Sequence, residues 1–71
     1  MDRKYVESSM ITSIGYDESQ AILEVEFKSN GHVWQYYDVP EYTWFEMNSA
    51  PSVGKYFHAR IKGTYPESRV G

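Results

Sequence analysis

The sequence predicts an α+β fold: a three-stranded antiparallel meander followed by two short helices packed on one face of the sheet. Three observations carry this expectation. Residues 21–27 settle into the alternation of apolar and charged side chains that marks a half-buried strand. Asn30-Gly31 separates that run from a second, aromatic one, and this dipeptide is the strongest short hairpin signal. Beyond Pro40 the apolar spacing lengthens to that of helices, and Pro40, Pro51, Ser52 and Gly63 stand where helices begin and end.

Taken in order, residues 1–8 are mixed and charged with no period, and a frayed lead-in is expected there. Met10–Tyr16 holds β-branched residues and no proline, so it reads as the first strand. Asp17–Gln20 is polar and turn-forming. In the second strand, Ala21–Phe27, Leu23, Val25 and Phe27 face one way, and Ile22, Glu24 and Glu26 the other. If Asn30 and Gly31 alone form the loop, Phe27 lies opposite Trp34 and Val25 opposite Tyr36. Directly opposed residues share a face, which puts Trp34 and Tyr36 with the apolar set and turns Gln35 and Tyr37 towards water beside Glu24 and Glu26.

Pro40–Ala50 reads as the first helix, since proline loses no backbone hydrogen bond in a first turn and Glu41 sits favourably at the positive end of the helix dipole. Tyr42, Phe45 and Ser49 make its stripe, with Trp44 and Met47 beside it. Ser52 caps a second helix over Val53–Lys62, and Gly63 closes it. Val53, Phe57 and Ile61 form a core stripe at i, i+4, i+8, while Lys55, His58 and Lys62 lie on another face. The expected core therefore contains Val25, Phe27, Trp34, Tyr36, Phe45, Phe57 and Ile61. From Thr64 onward an exposed tail is expected.

The 71 residues suffice for one domain, 1–71, whose ordered part is expected over about residues 6–66. Chains this short struggle to build a core, and there is no cysteine to staple one. Seven Tyr, three Phe and two Trp compensate, since each aromatic ring can bury roughly 150–250 Å². The lack of cysteine fits a reducing cytoplasm. No secretory signal is expected from the charged opening residues, and no apolar run reaches the ~20 residues of a membrane span. The formal charge of −3 is uneven: residues 1–54 hold nine acids and three bases, and residues 55–71 hold one acid and four bases.

Several short motifs fall in a set order. Ser9, Ile14, Gly15, Tyr16 and Asp17 open it; Trp34-Gln35-Tyr36 and Tyr37-Asp38-Val39-Pro40 form its centre; Ala50, Ser52, Gly54, Tyr56 and Phe57, then Ile61-Lys62-Gly63 and Tyr65, close it. This order and spacing resemble the KTSC domain, named for the C-terminal region of some lysyl-tRNA synthetases and also found as a small stand-alone bacterial or phage protein. The resemblance covers roughly residues 6–66. One position departs: Trp34 stands where the central Tyr-x-Tyr motif has its first tyrosine, so a large ring is kept there without the phenol. Through the synthetase, the resemblance implies an association with RNA.

The residues offer two candidate ligand surfaces. Ser52, the backbone near Gly54 and the Lys55 ammonium could hold a phosphate or carboxylate; the plainer reading is a helix cap and a close packing of Gly54 against the first helix. Gly54-Lys55 is no nucleotide P-loop, because Ser49 and Tyr56 occupy positions that motif gives to glycine and to Ser or Thr. The stripe Lys55, His58, Lys62, with Arg60 nearby, suits RNA or an acidic protein surface, or is simply solvated. Tyr37 is the one strand aromatic expected to face outwards. His32 and His58 lack metal-ligand spacing, and no cofactor, metal or catalytic residue is expected. The expected function is a non-catalytic binding module for RNA or, alternatively, for a protein that uses a sheet edge or an uncovered Trp44.

Overall fold

A computed structural model describes all of residues 1–71. The sheet has five antiparallel strands in sequential order: β1 (Lys4–Tyr5), β2 (Ile11–Asp17), β3 (Ile22–Phe27), β4 (Val33–Tyr36) and β5 (Glu67–Arg69). Helix α1 (Glu41–Ser49) and helix α2 (Val53–Tyr56) lie between β4 and β5, and α2 runs on as a π-helical turn over Phe57–Ile61. The α+β class and the central meander hold; the sheet is wider by one strand at each edge. The lead-in expected to fray instead pairs with β2, Lys4 opposite Ile14 and Tyr5 opposite Ser13. The tail returns along β4, where Arg69 opposes Trp34 and Glu67 opposes Tyr36. Neither edge has apolar alternation, because the residues of both added strands are exposed.

The hairpin corrects the predicted register. Glu26 opposes Val33, Val25 opposes Trp34 and Leu23 opposes Tyr36, a displacement of two residues from the two-residue-loop pairing. The loop is four residues long: Phe27 pairs with His32 through its N–H, and Gly31 N–H donates back to the Phe27 carbonyl. Only Gly31 takes a positive φ (+72°); Asn30 instead accepts the His32 N–H on its side-chain oxygen, 2.9 Å away. Asn-Gly thus marked the turn but not its length. Because the displacement is even, every side chain keeps its predicted face.

In β2 the pairing shifts between Ile11 and Ser13, leaving Thr12 as an extra residue. This bulge explains how Ile11 and Ile14, three apart, are both fully buried. The core comprises these two with Leu23, Val25, Tyr36, Val39, Met47, Val53, Phe57 and Ile61. Phe57 sits at its centre, edge-on to Phe27 at 5.3 Å and to Tyr36 at 5.4 Å. Phe27 and Trp34 are half-buried against it rather than enclosed. Phe45, expected in the core, is 57 % exposed and Tyr42 is 67 % exposed. Helix α1 buries Thr43 and Met47 instead, one turn apart, with Trp44 half-buried beside them. Aromatic residues occur on both sides of this helix, so spacing alone chose the wrong stripe.

The second sheet face is also covered. Glu24, expected to face water, is buried. The Arg3 guanidinium pairs with it, Gln35 Nε2 donates to its Oε1 at 2.8 Å, and Tyr37 Oη donates to Gln35 Oε1 at 3.1 Å. Arg3 Nε donates to Ser13 Oγ at 2.9 Å, and Ser13 in turn donates to Glu26 at 2.8 Å. Gly15 makes room for this cover: a Cβ there would stand 2.5 Å from the Asp2 carbonyl oxygen.

Candidate nucleic-acid interface

Ser52 has extended backbone angles, and its Oγ accepts the Lys55 N–H at 3.2 Å. It therefore starts the helical stretch 53–61, whose buried residues Val53, Phe57 and Ile61 fix its orientation on the sheet. That orientation turns Lys55, His58, Arg60 and Lys62 outwards, all exposed. None of the four has a carboxylate partner; both ion pairs of the molecule belong to Arg3, with Glu24 and Glu26. Arg60 lies over the Tyr56 ring, 6.0 Å from its centre, and Tyr56 Oη donates to Glu46 at 2.6 Å. Burial and the adjacent Glu46 carboxylate push the Tyr56 phenol up to about 12, so it stays a donor at neutral pH.

Two clefts flank this face. The first, of about 700 Å³, runs between the start of α2 and residues 7–10, and gathers Ser52, Gly54, Lys55 and His58 with Ser8 and Ser9. Gly54 is buried there: a Cβ would meet Met10 Cε at 3.0 Å and Ser8 Oγ at 3.2 Å. The neighbour that requires this glycine is the chain entering β2, not helix α1. Ser8 Oγ accepts the N–H groups of Met10 and Ile11, at 3.1 and 3.2 Å. This turn was readable in principle, since a serine before a strand commonly accepts the backbone two or three residues on. His58 Nε2 lies 3.0 Å from Met10 Sδ and ties the two walls together.

The second cleft, of about 280 Å³, opens beside the π-helical turn. Trp34, Phe27 and Tyr36 line its aromatic side, Lys62 and His58 its basic side, and Glu67 is its one carboxylate. Burial is the main reason that Tyr36 is pushed up to about 12, with Glu67 adding to it. Of the predicted site residues, the fold gathers Ser52, Gly54, Lys55, His58 and Lys62 along these adjoining clefts. Arg60 points aside onto Tyr56. Tyr37 is on the other face of the sheet, half-buried and bonded to Gln35. His32 is half-buried beside the hairpin loop. No group of three or more His, Cys, Asp or Glu is placed to hold a metal ion, and no helix is long and apolar enough to cross a membrane.

Comparison with known proteins adds three findings. A family model described as the KTSC domain matches residues 7–65. A lysine–tRNA ligase of Trichormus variabilis is 41 % identical over 59 residues, covering 83 % of this chain but 10 % of the ligase; a small protein of Stutzerimonas stutzeri is 40 % identical over 62 residues, covering 87 % of this chain and 86 % of that one. The chain therefore spans about a tenth of the length of the curated ligase and most of the small protein. The crystal structure of a KTSC domain protein from Yersinia pestis superposes with a TM-score of 0.94 at 40 % identity, covering 99 % of this chain and 97 % of that one.

Proposed function

This chain belongs to the KTSC domain family, and we propose that it is a non-catalytic module that binds single-stranded RNA along the helical face of Lys55, His58 and Lys62. The observation that carries this reading is the pairing of free cations with an accessible ring. Lys55 and Lys62 have no carboxylate partner, and the half-buried Trp34 lies in the cleft beside Lys62. Cations that follow a phosphate chain, next to an aromatic side chain on which a base can stack, are what sequence-tolerant single-strand binding requires. Trp34 thus has two roles, one flank packed on the core and the other facing the cleft. The lysine–tRNA ligases among the relatives act on an RNA, and a match to a tenth of their length favours an accessory RNA contact over aminoacylation. RNA of this kind would be met in the cytoplasm.

NMR titration with a short single-stranded RNA at low and moderate salt tests the proposal. Shifts are expected over residues 55–62 and at the Trp34 indole N–H, with affinity falling steeply as salt rises. Changing Lys55 and Lys62 together to Glu should abolish them. If residues 55–62 do not respond at either salt concentration, the RNA reading is wrong.

A further inference from the structure

The acidic half of the molecule carries a second surface, which shares no residue with the basic face. Helix α1 leaves Tyr42 and Phe45, three residues apart on one stripe, more than half exposed. Beside this stripe the Trp44 ring stacks on Tyr16, centres 5.6 Å apart and planes 11° from parallel. Tyr16 is pinned, since its hydroxyl donates to the Val39 carbonyl at 2.6 Å. The two rings therefore form a fixed flat wall. That wall bounds a groove of about 680 Å³ between the first turn of α1 and the β2–β3 turn, and Phe45 reaches into it. Four acidic residues, Asp2, Asp17, Glu18 and Glu41, also line the groove together with Met1, the N-terminal residue, and no lysine or arginine does.

We propose that this groove docks a basic, amphipathic segment of a partner protein, with an arginine or lysine stem lying on Trp44 and Phe45 and its charge between Glu18 and Glu41. The occupant follows from charge and shape. Aromatic faces attract cations, and a guanidinium offers a flat donor fork to carboxylates. Phosphate is repelled by four neighbouring carboxylates, which excludes RNA here. The exposed Tyr42 and Phe45 extend the apolar surface past the reach of one cationic side chain, so the occupant brings apolar neighbours and is a chain segment rather than a small amine. The carboxyls are already crowded: a hydrogen bond with Glu18 holds Glu41 above its ordinary value, and an incoming cation relieves that crowding. This inference does not rest on RNA binding at the other face.

The two tryptophans report the two surfaces separately, Trp44 in this groove and Trp34 in the basic cleft. The probe is a short synthetic peptide of alternating leucine and arginine, titrated into the ¹⁵N-labelled chain, with a leucine–glutamate peptide as control. The expected result is a saturable shift of the Trp44 indole N–H and the amides of α1, no shift at Trp34, and no response to the control. Changing Glu18 and Glu41 together to Gln should weaken binding about tenfold. Phe45→Ser, at an exposed position, should weaken it without unfolding the chain. A silent Trp44, an equal response to both peptides or an unchanged affinity in the Gln variant would overturn the proposal. So would Trp44 shifts that follow protein concentration without peptide, because the occupant would then be a second copy of this chain.

Discussion

The two faces of the sheet are built from alternate residues of the same strands, yet they are held by different physics. On one face Val25, Tyr36 and Leu23 meet Phe57 and Ile61, and burial of apolar area stabilises the contact. On the other, Ser13, Glu24, Glu26 and Gln35 are held by hydrogen bonds that converge on Arg3. The apolar face gains from buried area without regard to the direction of any one contact. The polar face depends on each contact, because a buried carboxylate without its partners is costly. The ends of the chain add strands at both edges of this sheet, but only the N-terminal segment also covers one of its faces.

The largest expected effect is on the apolar face. Phe57→Ala removes the ring that touches both Phe27 and Tyr36, and should cost about 3–5 kcal/mol in urea denaturation. For a domain of this size that is a large part of the total stability. A loss below about 1 kcal/mol would mean that the core closes around the gap and that this face is not centred on Phe57.

Arg3→Ala probes the polar face and should cost less, about 1–2 kcal/mol at neutral pH, since the Arg3 side chain keeps some contact with water. Its pH dependence is the sharper test. Burial pushes the Glu24 carboxyl up, but the Gln35 and Arg3 hydrogen bonds and the Arg3 charge outweigh this and leave it below its ordinary value. A depressed carboxyl contributes stability that is present above the unfolded value and lost as pH falls through the folded one. The gap between the native chain and Arg3→Ala should therefore be widest at neutral pH and narrow in acid, as Glu24 becomes neutral. A gap independent of pH would show that Arg3 acts by packing its stem, not through Glu24.

The same contrast explains what the sequence made legible. Leu23, Val25 and Phe27 alternate within one strand, and Val53, Phe57 and Ile61 repeat within one helix, so local spacing revealed the apolar face. The basic stripe Lys55, His58, Lys62 was legible for the same reason. Glu24 looked solvent-facing because its partner, Arg3, lies 21 residues away in a segment with no pattern. Phe45 was misplaced because α1 has aromatic residues on its buried and open sides alike, and only the packed helix distinguishes Met47 from Phe45. The register was missed by two residues because Asn30 offers its side chain to the loop, as the Asn-Gly signal allows, without adopting a positive φ. The acidic groove was invisible for a further reason. It joins the β2–β3 turn to the first turn of α1, and nothing in the sequence brings residues 17–18 to residues 41–45.

The smallest expected effect decides what Tyr37 does. Its hydroxyl is the outermost member of the polar network and donates to Gln35 at 3.1 Å. Removing only that hydroxyl, in Tyr37→Phe, should cost about 0.5–1 kcal/mol, the worth of one neutral hydrogen bond near solvent. Gln35 still has Glu24 as a partner, so no buried charge is stranded. Because Tyr37 lies across the sheet from Lys55 and Lys62, the RNA titration should be unchanged in this variant. The two measurements separate the faces. Lost stability with unchanged RNA affinity keeps Tyr37 in the network that anchors the N-terminal strand, whereas unchanged stability with RNA affinity several-fold weaker would move the ligand surface to the polar face.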